Sequence, residues 1–280
     1  MTPTSAAPGQ QDCAVDCTDE DWALILGGSS GFGLAAAKKL ASQGMSVCVV
    51  HRDRRGAMPK IDAQFESIRG HGHGFLSFNL DALSADGMAA VIGALKDRAV
   101  RIRLVLHSLA YGNLKPIAPS PTALTATSLL DDEDLARTIH SMGTSLLSWV
   151  QAIHRNGLFG PDARVLGLTS EGNTVAWPGY AAVAAAKGAL ECLSRAIAVE
   201  YAPYGVRCNI LQPGVTDTPA LRLIPGNEKM RAVAIQKNPY GRLTTVEDVA
   251  DVISLLCRDE ARWINGALIR VDGGEHIGSL

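Results

Sequence analysis

The sequence has no long apolar run. None of its apolar stretches reaches the ~18–20 residues that a membrane-crossing helix requires, so no spanning segment is expected. It has no basic run either. Lysines and arginines number 26 against 28 aspartates and glutamates, a formal net charge of −2, which gives nucleic acid no electrostatic footing. The first 20 residues lack both a positive start and an apolar stretch. They do not read as a secretory signal, and a loose tail over 1–20 is expected. The six cysteines are Cys13, Cys17, Cys48, Cys192, Cys208 and Cys257, and no two stand at the C-x2-C spacing of a metal site. No metal is expected, and reduced thiols in a cytoplasmic protein are the simplest account. No internal repeat or shift in composition marks a second domain.

What is present is apolar and evenly spread. Of the 280 residues 47% are apolar and 19% charged, ample for a buried core. One large domain over 21–280 is expected. Short apolar runs at Trp22–Leu26, Ser46–Val50, Phe75–Phe78, Arg103–His107, Arg164–Leu168, Val206–Leu211 and Ala267–Val271 predict strands. Between them lie helical patterns at Leu34–Gln43, Met58–Arg69, Ser84–Arg98 (capped by Ser84), Asp131–Arg155, Tyr180–Glu200 and Val246–Cys257. Lys115–Ser128, with three prolines and many serines and threonines, predicts a surface loop. Strands separated by helices imply a doubly wound parallel sheet with helices on both faces.

The first strand runs into Gly27-Gly-Ser-Ser-Gly-Phe-Gly33 and then a helix. Glycines there let the backbone turn sharply and approach a pyrophosphate, and the helix N-terminus offers it free N–H groups. This is a Rossmann-type fingerprint, and it marks Gly27, Ser29, Ser30, Gly31, Phe32 and Gly33 as cofactor-binding. The second strand ends at Val50, and His51, Arg52, Asp53, Arg54 and Arg55 follow it. A guanidinium suits a 2′-phosphate, so NADPH is expected, with His51 and Arg52 at its adenosine end. NADH, served by Asp53, is the alternative.

These features, with Arg207-Cys-Asn209 leading to Pro213-Gly214, Gly241-Arg242, Glu247-Asp248 and Val271-Asp-Gly-Gly274, resemble a short-chain dehydrogenase/reductase from Trp22 to His276. That family usually pairs Tyr-x3-Lys. Here the position four before Lys187 is Val183, and the tyrosine lies earlier, giving Tyr180-x6-Lys187. This spacing resembles the enoyl-acyl-carrier-protein reductases, most closely their third bacterial type. His107-Ser-Leu-Ala110 is similar to the first type.

The resemblance implies roles. Tyr180 would stabilise a developing enolate, Lys187 would hold the cofactor ribose, and Ser170 would orient substrate or tyrosine. Asn79 and Leu80 would contact adenine. His107, Ser108 and Leu109 would line the cofactor pocket, Pro213 and Gly214 would bind the cofactor, and Val215 and Thr218 would meet the nicotinamide amide. A substrate lid is expected around 216–240. Met142 stands where many relatives carry a relay asparagine, and Leu26 where many carry a threonine.

On a helix, partners four and seven residues away lie within ~40° of one face, but their axial offsets are ~6 Å and ~10.5 Å. An acid further along suits conjugate reduction, in which charge develops on a thioester oxygen away from the β-carbon. The expected activity is therefore NADPH-dependent reduction of an enoyl thioester, linked to acyl carrier protein or coenzyme A. The alternative is ketone or alcohol chemistry, by a 3-oxoacyl reductase or a tailoring enzyme. A cofactor-sensing regulator is disfavoured by the presence of both Tyr180 and Lys187. A homotetramer is implied by the resemblance.

Overall fold

The structure is a computed structural model that describes residues 21–119 and 128–279. The tail expected over 1–20, with Cys13 and Cys17, lies outside the described residues, as do positions 120–127 of the expected loop.

Along the chain run β1 (Asp21–Leu26), α1 (Gly31–Ser42), β2 (Ser46–His51), α2 (Met58–Arg69), β3 (Phe75–Asn79), α3 (Ala85–Asp97) and β4 (Arg101–His107). There follow α4 (Asp132–Ile139), α5 (Ser145–Arg155), β5 (Phe159–Leu168), α6 (Ala181–Glu200), β6 (Val206–Pro213), α7 (Asn227–Lys237), α8 (Val246–Leu256) and β7 (Leu268–Val271).

β1 and β2 are buried at every position, as strands covered on both faces must be. Successive side chains alternate between two cores. Leu24, Leu26, Cys48 and Val50 meet α3, α5 and α6 through Leu95, Trp149 and Leu190. Ala23, Ile25, Val47 and Val49 meet α1, α2 and α8 through Leu40, Phe65 and Ile253. The seven strands are all parallel, in the order β3-β2-β1-β4-β5-β6-β7. The chain winds outward from β1 to β3 and then crosses back to β4. That reversal opens a crevice beyond the C-terminal ends of β1 and β4, the place where such sheets bind ligands.

Local chemistry fixes the helix starts. Ser84 caps α3, its hydroxyl accepting from the Gly87 N–H, and Thr245 and Asp248 form a reciprocal capping box on α8. One expected element is interrupted. Asp131–Arg155 is not a single α-helix, because a π-helical turn at His140–Thr144 separates α4 from α5. At this turn Gly143 faces α6 so closely that a Cβ would stand 2.7 Å from the Ala186 carbonyl oxygen. The next residue but one, Ser145, reaches His107. Single π turns of this kind recur at functional sites.

Candidate active site

The glycine-rich turn is a tight cradle. Gly27 has φ +88°, and a Cβ on it would lie 2.5 Å from the Ser108 carbonyl oxygen. A Cβ on Gly33 would lie 2.2 Å from the Gly27 oxygen, so Gly33 serves close packing of helix on strand. Ser30, extended at the N-cap of α1, makes no side-chain cap, which leaves first-turn N–H groups open to an anion. A cavity of about 350 Å³ opens here, walled by Gly27, Ser29, Ser30, Gly31, Phe32, His51, Arg52 and Leu80.

The end of β2 shapes the far side of this cavity. The buried His51 ring stands edge-on to Phe65, with Nδ1 2.9 Å from Asp53 Oδ2. Arg52 donates from Nη1 to Asp81 Oδ2 at 2.8 Å, and its guanidinium lies 5.3 Å from the centroid of the Tyr111 ring. Asn79 was expected at the adenine. Instead its side chain accepts from the Asp53 N–H and donates to the Asp53 carbonyl, and it is not a wall of the cavity. Both ends of its amide are drawn into shaping the turn after β2.

A second cavity, also about 350 Å³, adjoins the first, sharing Phe32, Ser108, Leu109 and Thr218 as walls. It gathers Ser170, Tyr180, Lys187, Pro213, Gly214 and Val215. The Tyr180 hydroxyl is 3.2 Å from Ser170 Oγ. Burial raises the phenol above its ordinary pKa, and the Ser170 bond works against that rise. Lys187 is buried and donates from Nζ to the Leu168 carbonyl at 2.8 Å. Burial brings its pKa down to about 8, with the Glu191 carboxylate opposing the fall.

Two expectations change here. His107 is buried against α5, with Nε2 2.8 Å from Ser145 Oγ, and walls neither cavity. Burial, then the charge of Lys187, lowers it to about 3, so the ring is neutral. The π turn puts Ser145 where it captures this ring, while the next residue, Ser108, faces both cavities. Tyr180, expected inside the helix, is instead the N-cap residue of α6. Val183, one turn later, packs with Met142 and Ala186 and offers no hydroxyl.

The 216–240 segment forms a short turn of helix at Leu221–Leu223 followed by α7. Thr218, Ala220 and Leu223 wall both cavities, and Met230 and Val233 the second. Sequence reasoning missed three residues. Gly172 lies against the Tyr180 ring, where a Cβ would stand 2.2 Å from Cε1. Buried Glu275 accepts from the Val215 N–H at 3.1 Å, and burial raises its carboxyl. Glu191, one helical turn after Lys187, accepts from Thr169 and Asn173. A carboxylate one turn from a lysine was the available signal for Glu191.

Among the described residues no helix is long and apolar enough to cross a membrane, and no group of three or more His, Cys, Asp or Glu side chains could hold a metal ion.

Residues 27–276 match the family described as Enoyl-(Acyl carrier protein) reductase. The chain belongs to this family of short-chain dehydrogenases/reductases. It is 29% identical to a 1-cyclohexenylcarbonyl-CoA reductase of Streptomyces collinus, over 91% of this chain and 86% of the relative. It is 30% identical to a cis-4-hydroxycyclohexanecarboxylate dehydrogenase of Sinomonas cyclohexanicum, over 90% and 95%. Among solved structures, the enoyl-acyl-carrier-protein reductase (NADH) of Aquifex aeolicus superposes with a TM-score of 0.78, covering 93% of this chain and 98% of that one at 24% identity. The protein is thus an oxidoreductase of the short-chain superfamily that uses a nicotinamide cofactor. The glycine cradle and the open helix N-terminus fit the pyrophosphate of such a cofactor.

Proposed function

We propose that this oxidoreductase reduces the 2,3 double bond of an enoyl thioester, carried on acyl carrier protein or coenzyme A, with NADPH as reductant. The observation that carries this reading is the location of the phenol. The hydroxyl belongs to Tyr180 before α6, and the position one turn into the helix holds Val183, packed into an apolar cluster.

When bound, a reduced nicotinamide would supply the hydride that the β-carbon receives. The chain's own residues then manage the charge left on the thioester oxygen. Tyr180 donates its hydroxyl to that oxygen, a hydrogen bond worth most where charge develops in a site shielded from water. Ser170 shares the phenol's hydrogen bond and fixes its direction. Lys187, a wall of the second cavity, would hold the ribose hydroxyls, and its buried charge favours release of the phenol proton, which ends on the α-carbon and is replaced from solvent. Met142, Val183, Leu221 and Val233 give the second cavity apolar walls suited to an acyl chain. Arg52, on the wall of the first cavity, supports NADPH over NADH through its fit to a 2′-phosphate.

A second reading has one specific observation in its favour. Ser170 Oγ and Tyr180 Oη stand together at 3.2 Å, and two adjacent hydroxyls could polarise a ketone carbonyl. Consumption of NADPH with crotonyl thioester and with acetoacetyl thioester separates the two. Enoyl reduction predicts turnover of the first. Turnover of the ketone alone would overturn the proposal. Tyr180→Phe should lower kcat by about 100- to 1000-fold, the usual cost of losing one such donor.

A further inference from the structure

Two α6 side chains one turn apart reach the segment that leaves β5. Lys187 Nζ donates to the Leu168 carbonyl. Glu191 Oε1 accepts from Thr169 Oγ1 and from Asn173 Nδ2, each at 2.5 Å. Thr169 and Asn173 bracket the two residues that touch the Tyr180 ring, Ser170 through its hydroxyl and Gly172 through its bare Cα. One carboxylate oxygen therefore clamps both ends of the seat of the phenol.

We infer that Glu191 is a positioning residue, one that pins the 169–173 segment to the helix bearing Lys187 and so sets where the Tyr180 hydroxyl stands. The inference rests on the roles given above to Tyr180 and Ser170. Glu191 touches neither substrate nor cofactor in this scheme and acts through its two hydrogen-bond donors. Its second effect is electrostatic. Its charge stabilises the protonated form of Lys187. The other titratable groups around Lys187 are His107 from the end of β4, Tyr180 at the helix start, and Glu171, Lys237, Asp272, Glu275 and His276 on the walls of the shared cavity.

The two effects separate by substitution. E191A removes both the acceptor and the charge. E191Q keeps an acceptor for Thr169 and Asn173 and removes only the charge. With whichever thioester the wild type turns over, E191A should lower kcat at least tenfold with little change in KM for the cofactor. E191Q should keep kcat within threefold at neutral pH and move the alkaline limb of the pH profile to lower pH, because Lys187 then loses its proton more easily.

A second readout needs no substrate. Tyrosine labelled at the ring carbon bearing oxygen, with Tyr180 assigned by Y180F, reports the phenol titration by NMR. In E191A the phenol should titrate at higher pH as the Ser170 bond is lost, and in E191Q it should titrate as in the wild type. If E191A fails to fold, Thr169→Val combined with Asn173→Ala breaks the same clamp from the other side. An unchanged Tyr180 titration in E191A, or in that double variant, would overturn the inference. So would equal kcat losses in E191A and E191Q with no change of pH profile. Failure of the wild type to reduce either thioester would sink the enoyl reading, and the titration would still decide the clamp.

Discussion

Lys187 carries a charge in the protein interior, and the cost of that charge should be measurable as a pH-dependent stability. Its pKa falls from an ordinary 10.5 to about 8, chiefly through burial. A drop of about 2.5 pH units corresponds, at 1.36 kcal/mol per unit, to about 3 kcal/mol. The sign follows from linkage. Below pH 8 the lysine is protonated in both folded and unfolded chains, and the fold bears the full cost of the buried ammonium. Between pH 8 and 10.5 the folded chain has shed the proton while the unfolded chain keeps it, so stability rises with pH in that window. Lys187→Met removes the charge at similar bulk. It also leaves the Leu168 carbonyl without its Nζ donor, a loss of about 1–3 kcal/mol that does not depend on pH. The net stability change at pH 7 is therefore small. Its pH dependence is not: the stability of the variant relative to wild type should fall by about 2–3 kcal/mol from pH 7 to pH 10. Urea unfolding followed by tryptophan fluorescence, at pH 7, 8.5 and 10, measures this, since Trp149 is fully buried. A difference that stays constant across this range would refute the buried-charge argument. Activity should be lost in the variant at every pH.

Three further outcomes are expected. Gly172→Ala places a methyl 2.2 Å from Tyr180 Cε1, so kcat should drop at least tenfold with only a modest change in Tm, checked by steady-state kinetics and thermal unfolding. Asp162 bridges Arg164, Arg103 and Arg207. Burial works to raise its carboxyl, but these guanidinium groups outweigh that and hold it below the ordinary range. Asp162→Asn leaves the buried Arg164 without its anion and should cost about 3–5 kcal/mol in urea unfolding. A depressed carboxyl contributes stability above its unfolded pKa and loses it as pH falls, so the Tm of the wild type should decline more steeply in acid than that of the variant. Arg52→Ala should raise KM for NADPH about tenfold, on the scale of one charge-assisted bond, and change KM for NADH little. An equal rise for both cofactors would remove the 2′-phosphate assignment.

The fold was legible because its signals are local. The short continuous apolar runs of β1 and β2, buried at every position, the Gly27–Gly33 turn and the cap at Ser84 each depend on residues within a few positions of one another. The interruption at His140–Thr144 was not legible, since its partners, His107 and Ala186, are distant in sequence. The same cause hid the roles of three polar residues. His107 and Asn79 look like pocket residues until Ser145 and the Asp53 backbone are seen to engage them. Glu191 looks like a solvated helix residue until β5 brings Thr169 to it.

The change from Tyr-x3-Lys to Tyr-x6-Lys also has a different physical meaning once α6 is seen to begin at Ala181. A tyrosine four residues before the lysine would sit within the helix, and helix geometry would fix its distance from Lys187. Tyr180 is the N-cap residue, so helical spacing fixes its backbone oxygen, which accepts from the Ala184 N–H, but not its ring. The ring is held from the strand side, by the Ser170 hydroxyl and the bare face of Gly172. Support for the phenol has thus passed from the helix to the segment after β5. A seat of that kind is only as rigid as its attachment. The arrangement therefore needs a tie between that segment and the helix carrying Lys187, and the carboxylate of Glu191 lies where such a tie must be.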